Sequence, residues 1–204
     1  MTDDPNLSGA SPDAAAQDLA WMERIKRGDT EALQELIETH QHRIFGAISK
    51  MLGGELDAED LAQQVFIRVW KSAPRYQPTA KFTTWLFKIA RNLVFNELRR
   101  RKRHATQPLE TGTIEDGVPQ VQAVDPAAKP PDTLLIDAEL QDAIQAAIDQ
   151  LPETQRMAII LRRYDEFSYE EIAEIMDLSV PAVKSVLFRA RADLRERLHR
   201  YLEG

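Results

Sequence analysis

The chain has 204 residues, a formal net charge of −7 and no cysteine, with 43% hydrophobic and 29% charged residues. The lack of cysteine excludes disulfides, thiolate metal sites and thiol nucleophiles, and the length suits one large or two small globular domains. No apolar run reaches the length of a membrane span, and the opening MTDDPNLSGASPDAAAQ is acidic and polar where a secretory signal would be basic and then apolar. A cytoplasmic protein without membrane insertion is expected.

The charge is unevenly spread. Residues 21–104 hold sixteen Lys/Arg against ten Asp/Glu, residues 105–133 hold one against five, and Lys184 to Arg200 hold six against two. The field at a contact is set mainly by charges within a Debye length, roughly 8 Å at physiological salt. Basic stripes can therefore meet phosphate on a protein that is acidic as a whole.

In chain order, residues 1–17 are rich in Asp, Pro, Ser and Ala without periodicity, and are expected to be disordered. A helix is expected from Asp18, with Leu19, Met22 and Ile25 on one face and Gly28 at its end. Asp29 caps a second helix whose apolar residues, from Ala32 to Ile48, keep a 3.6-residue rhythm up to Gly53 and Gly54. Asp57 opens a third, DAEDLAQQVFIRVWKSA, which turns Leu61, Val65, Phe66, Val69 and Trp70 inward and leaves Asp60, Gln63, Gln64, Arg68 and Lys71 outside.

The next stretch, PRYQPTAKF, reads as a loop carrying Arg75, Tyr76 and Lys81. Aromatic rings between cations suit unstacked bases, the ring by stacking and the cations by attracting the backbone. Tyr76 and Phe82 serve equally well to pin the loop to its domain, and the residues alone leave both readings open. Thr83 or Thr84 starts a long helix, TTWLFKIARNLVFNELRRRKRH, with Trp85, Leu86, Ile89, Leu93 and Val94 inside. It ends in five consecutive cations, Arg99 to Arg103, where the helix dipole needs one or two, and the surplus points to a polyanion. Lys88, Arg91 and Arg99 extend the same positive side.

Residues 105–133 contain five prolines and two glycines and form a flexible acidic linker, long enough to let the flanking helical domains sit far apart. An amphipathic helix follows over Leu134 to Gln150, with Leu135, Ala138, Ile144 and Ile148 on its apolar side, and Pro152 suits the first turn of the next, PETQRMAIILRRY.

The stretch Phe167 to Arg191, FSYEEIAEIMDLSVPAVKSVLFRAR, is two short helices around a tight turn. Ser168 and Glu171 have the spacing of a capping box; Asp177 and Leu178 make the turn; Ser179 and Pro181 open the second helix. Val183, Leu187 and Ala190 face inward, which leaves Lys184, Ser185, Phe188, Arg189 and Arg191 outward in a row that fits a major groove. Plain core packing suits such a pair as well. No enzyme constellation is present: the four histidines, His40, His42, His104 and His199, lack partners at metal-ligand spacing, and there is no glycine-rich phosphate loop. Neither a cofactor nor a metal is expected.

Taken together, DLAQQVFIRVW, KFTTWLFKIARN with its basic end, the acidic tether and LPETQRMAIILRRYDEFSYEEIAEIMDLSVPAVKSVLFRARADLRERL resemble the sigma-70 family, in its small extracytoplasmic-function group, over roughly residues 18 to 202. The resemblance implies an all-α protein of two small helical domains: sigma region 2 over 18–104 and sigma region 4 over 134–204, joined by the linker 105–133. It implies a non-enzymatic subunit that binds core RNA polymerase through the large clamp subunit and the flap, directs it to promoter DNA, and is held by an anti-sigma factor. Asp60, Leu61, Gln63 and Gln64 would contact the polymerase clamp. Arg75, Tyr76, Lys81, Phe82, Trp85, Arg91, Asn92, Arg99 and Arg100 would serve the −10 element, the loop Pro74 to Phe82 taking a flipped base. Lys184, Ser185, Phe188, Arg189 and Arg191 would read the −35 element, and the acidic linker would thread the polymerase's cationic channels.

Two departures stand out. Housekeeping members carry two adjacent tryptophans where Lys88 and Ile89 stand, and Asp177 occupies a turn position where glycine is common. The first implies weaker duplex melting and dependence on well-matched promoters. A free-standing helix-turn-helix regulator, with residues 18–104 as a dimerisation or sensor module, is the competing expectation.

Overall fold

The structure is a computed structural model that describes residues 12–54, 57–106 and 131–199, with side chains throughout except at 12, 105–106 and 131–139. Among the described residues there are eight α-helices, one short 3-10 turn and no strand. They are α1 (Pro12–Lys26), α2 (Thr30–Leu52), α3 (Ala58–Ser72), the 3-10 turn Ala73–Arg75, α4 (Phe82–Thr106), α5 (Pro131–Asp149), α6 (Glu153–Arg163), α7 (Tyr169–Met176) and α8 (Val180–Arg197).

Local chemistry sets most boundaries. The Asp29 carboxylate accepts the Glu31 and Ala32 N–H groups at 3.0 and 3.1 Å, and Gly53 closes α2 at φ 75°, a left-handed cap that glycine adopts without steric cost. The capping box of α7 forms as expected: Ser168 Oγ accepts the Glu171 N–H at 3.1 Å while Glu171 Oε2 accepts the Ser168 N–H at 2.8 Å. Ser168→Ala is expected to cost about 1 kcal/mol of region stability, read from the shift of a urea midpoint at unchanged slope. Asp177, where glycine is common, itself takes φ 56°, a left-handed value that aspartate tolerates, and the N–H of Leu178 returns to the Ala173 carbonyl at 2.9 Å.

Several boundaries differ from expectation. α1 begins at Pro12 and not Asp18, because proline supplies a pre-set φ at a first-turn position where its missing N–H is harmless; the expected disorder of residues 1–17 therefore fails at 12–17, and 1–11 lie outside the described residues. Asp57 does not cap α3 with its side chain; it sits at φ 70°, and its carboxylate pairs with Arg101 at 3.0 Å. α4 starts at Phe82. α5 starts at Pro131, inside the expected linker, most of which, residues 107–130, lies outside the described residues, as do the side chains of Leu135 and Ala138 and residues 200–204. Pro152 stands just before α6 and not within its first turn.

The core has two centres. Met22, Leu36, Ile44, Ile48, Val65, Leu86 and Val94 are buried among α1 to α4, and Met157, Ile160, Leu161, Ile172, Ile175, Val183 and Leu187 among α6 to α8. The two bundles do not stand apart: α4 lies against α7 and α2 against α6. Phe87 of α4 and Phe167 meet edge to face at 4.8 Å, both buried. Such ring pairs add about 0.5–1.5 kcal/mol beyond the area they bury.

Candidate nucleic-acid interface

The row on α8 stands where the sequence places it. Ser179 Oγ caps the helix through the Ala182 N–H at 3.3 Å, and Val183, Val186, Leu187 and Ala190 are buried against α6 and α7. With its inner side anchored, the helix turns Lys184, Ser185, Phe188, Arg189 and Arg191 to solvent. Phe188 is 74% exposed, an unusual cost for a bare aromatic ring. Arg189 lies back along its own helix, its Nε donating to the Ser185 carbonyl at a long 3.4 Å, a bond weak enough to surrender.

The loop before α4 differs from the exposed aromatic surface that the sequence leaves open. Tyr76 and Phe82 are 6% and 3% exposed, so they anchor the loop in this arrangement and do not offer ring faces to solvent. Tyr76 lies 4.7 Å from the half-buried Trp85 and 6.3 Å from Phe82, and His40 packs on Phe82 at 5.4 Å. Beneath them His40 Nε2 and Asp18 Oδ1 are 2.7 Å apart, both buried. Burial, with the Asp18 charge adding, pushes the Tyr76 phenol above its ordinary pKa.

Arg75, Asn92 and Arg99 are exposed, but other cations on this side are engaged within the chain. Lys81 pairs with Glu171 at 3.0 Å. Arg91 donates to the Asn92 side chain and to the Met176 carbonyl, both at 2.9 Å, and lies over the Phe95 ring at 4.7 Å. Arg100 grips Glu97 in a fork of 2.7 and 2.8 Å, Arg101 bridges Glu97 and Asp57, and Lys102 pairs with Glu153 at 2.8 Å. The Glu97 carboxyl is held below the usual carboxylate range, chiefly by the Arg100 bonds, against a smaller opposing effect of burial. The surplus of five cations is therefore smaller than the sequence count suggests. The spacing of Glu97 to Arg100 and Arg101, three and four residues, is the signal in the sequence that reveals it.

On α3, Asp60, Gln63 and Gln64 are exposed together, whereas Leu61 is 6% exposed, mostly in the core, with its edge lining a cleft beside Asp60 and Gln64. Beside Gln63 runs an apolar groove lined by Leu33, Ile37, Phe66, Ile67 and Trp70. Ile67 is 50% exposed. The motifs in the sequence give it no role, although an isoleucine on the polar face of an amphipathic helix is the mark of such a surface. Among the described residues no group of three metal-ligating side chains exists and no helix is long and apolar enough to cross a membrane.

Sequence comparison decides the family. The Sigma-70 region 2 model matches residues 36–104 and the Sigma-70, region 4 model matches 141–194. The chain is 33% identical over 177 residues to the ECF RNA polymerase sigma factor SigW of Bacillus subtilis, an alignment covering 87% of this chain and 94% of that one. It is 34% identical over 178 residues to the ECF RNA polymerase sigma-E factor of Escherichia coli K12, covering 85% and 90%. The chain belongs to the sigma-70 family, in its ECF group.

Solved structures agree on the fold of this sigma factor. The sigma factor RpoE in complex with the anti-sigma factor NepR from Bartonella quintana matches with a TM-score of 0.60 at 25% identity, covering 81% of this chain and 96% of that one. CnrH in complex with the cytosolic domain of CnrY matches with a TM-score of 0.62 at 22% identity, covering 90% and 97%. The region 2 match spans α2 to α4 apart from the first turns of α2, and the region 4 match spans most of α5 to α8. An ECF sigma factor is an alternative sigma factor that directs RNA polymerase to promoters for transcription initiation.

Proposed function

We propose that this sigma factor divides promoter recognition between two domains, residues 18–104 and 134–204, with the row on α8 reading the −35 duplex. The observation that carries the assignment is the outward set Lys184, Ser185, Phe188 and Arg189 on a helix whose opposite side is buried. Arginine and lysine pair with guanine edges, serine accepts or donates, and an exposed phenylalanine suits a thymine methyl. Arg191, further round the helix, takes phosphate. On the other domain Arg75, Lys81, Arg91, Asn92 and Arg99 follow the −10 strand. Tyr76, Phe82 and Trp85 frame its base pocket once the buried rings are uncovered, and Arg100 would need to leave Glu97 to join them.

Asp60, Gln63 and Gln64 form the polar part of the seat for the polymerase clamp, and the groove around Ile67 and Trp70 supplies its apolar part. Leu61 contributes by holding α3 in place. Gln63→Ala with Gln64→Ala is expected to weaken core-polymerase binding about tenfold or more while melting temperature stays within a degree or two, since exposed substitutions change stability by at most about 0.5 kcal/mol. A large fall in melting temperature would identify the pair as packing residues.

The protein itself is read as a non-enzymatic cytoplasmic factor, with catalysis left to the polymerase. The complex of the similar RpoE with the anti-sigma factor NepR supports an anti-sigma partner for this chain as well. Reconstituted transcription tests the whole reading: adding the chain to core polymerase should yield transcripts from a discrete set of promoters, and a yield equal to core alone would refute it.

A further inference from the structure

We propose that the Tyr76 hydroxyl reads the base held in the −10 pocket, and that Asp18 of α1, locked onto His40, makes it an acceptor for an amino-bearing base, adenine or cytosine. The proposal deepens the assignment of Tyr76 to that pocket and rests on it.

In the free chain the hydroxyl only costs stability. Tyr76 is 6% exposed, and its Oη is buried without a hydrogen-bond partner. A phenylalanine would pack against Trp85 and Phe82 equally well and leave nothing unpaired, because burying a hydroxyl without a partner is unfavourable. A group kept in that state suits a ligand that brings the partner with it.

Its polarity is set by a neighbouring pair. An ionised carboxylate only accepts, so His40 Nε2 donates to Asp18 Oδ1 across 2.7 Å, and both side chains are buried. The same imidazole packs on Phe82 at 5.4 Å, so the pair is fixed against the loop. Burial, and after it the Asp18 charge, push the Tyr76 phenol above its ordinary pKa, and the hydroxyl keeps its proton. Attraction turns that proton toward the carboxylate and leaves the oxygen lone pairs on the far side. An oxygen presented in this way accepts. Adenine and cytosine carry amino donors, whereas thymine and guanine place a carbonyl oxygen at the corresponding edge. Asp18 lies in α1, ahead of residues 36–104 matched as region 2, so a helix outside that match sets the preference.

The covering of the ring can yield to a strand. Lys26 Nζ stands over Tyr76 at 5.7 Å from the ring centroid, where a base would stack, and is tied to the exposed Glu23 at 2.6 Å. A phosphate offers Lys26 a second anion, and its departure uncovers the ring. From Tyr76 to Ala80 the backbone has two hydrogen bonds to other backbone groups, Tyr76 N–H to the Ala73 carbonyl at 3.1 Å and Thr79 N–H to the Gln77 carbonyl at 2.8 Å. Both are local, so neither ties the loop to another helix.

The test uses the full chain bound to core polymerase, with a labelled single strand that spans the −10 element of a promoter mapped by its transcripts. At each adenine or cytosine in turn the amino group is deleted, adenine becoming purine and cytosine 2-pyrimidinone. At one position the deletion should weaken binding about three- to tenfold, the worth of one net hydrogen bond. Tyr76→Phe should weaken binding of the intact strand by a similar factor, and at that position the two losses should not add. Its melting temperature should hold or rise, since only an unpaired hydroxyl has gone. Asp18→Asn, which keeps an oxygen for His40 but no charge, should shrink the discrimination at the same position. Additive losses at every position would overturn the proposal, as would an unchanged discrimination in Asp18→Asn. A melting temperature several degrees lower for Tyr76→Phe would overturn it too, by showing that the hydroxyl has a partner inside the chain. If the unsubstituted chain holds an unrelated strand as tightly as the promoter strand, the −10 assignment itself fails; a preference for the promoter strand without coupling at Tyr76 refutes the hydroxyl's role alone.

Discussion

Arg189→Ala is expected to weaken binding to the −35 duplex by about 1–3 kcal/mol, roughly 5- to 150-fold, and to do so selectively. The side chain is exposed and bonded only weakly, at 3.4 Å, to a carbonyl of its own helix, so little must be undone before it reaches a base edge. Its neighbours Lys184, Ser185 and Phe188 share the face, so the loss should concentrate at one or two base pairs opposite Arg189. Titrating labelled duplexes that differ at single positions measures this. The substituted chain should lose its preference at those positions and keep it elsewhere, with an unchanged melting temperature. A uniform loss on every duplex, with a salt slope reduced by about one, would make Arg189 a phosphate contact instead.

Ile172→Ala is expected to be the more damaging change to the fold, at about 2–5 kcal/mol. Ile172 has no exposed surface and lies in the middle of the short helix α7, which packs against α4, α6 and α8. An eight-residue helix is too short to persist by propensity alone, so removing its central anchor leaves both a cavity and a helix without a seat. For a domain of 60–100 residues each kcal/mol moves the thermal midpoint by about 4–8 °C, which puts the expected fall at about 8 °C or more when followed by circular dichroism. The −35 affinity should fall with it, because α8 takes its orientation from the same packing. A shift below a few degrees would show that the site collapses around the smaller side chain.

What could be read from residues alone follows the range of the interactions. The Ser168–Glu171 box, the Asp29 cap, the turn at Asp177 and the outward row of α8 are set by neighbours within four residues, and spacing exposes them. The early start of α1 and the grip of Glu97 on Arg100 and Arg101 carry local signals too, in Pro12 and in the three- and four-residue intervals, that a count of charges passes over. The burial of Tyr76 and Phe82 depends on His40 and Trp85 arriving from other parts of the chain. Arg43 of α2 binds Asp165, 122 positions away just after α6, and no periodicity encodes such a meeting.

The pairing of Lys81 with Glu171 and of Arg91 with the end of α7 has a thermodynamic consequence for salt. Each cation that binds a phosphate contributes by releasing counterions from the nucleic acid, about 0.7 per contact on a single strand. Lys81, already paired with a carboxylate inside the protein, must leave Glu171 before it can make such a contact, and that internal pair is itself weakened by salt. Salt that weakens the hold of this side on DNA thus also loosens the internal hold on Lys81, so affinity falls with ionic strength less steeply than a count of cations predicts.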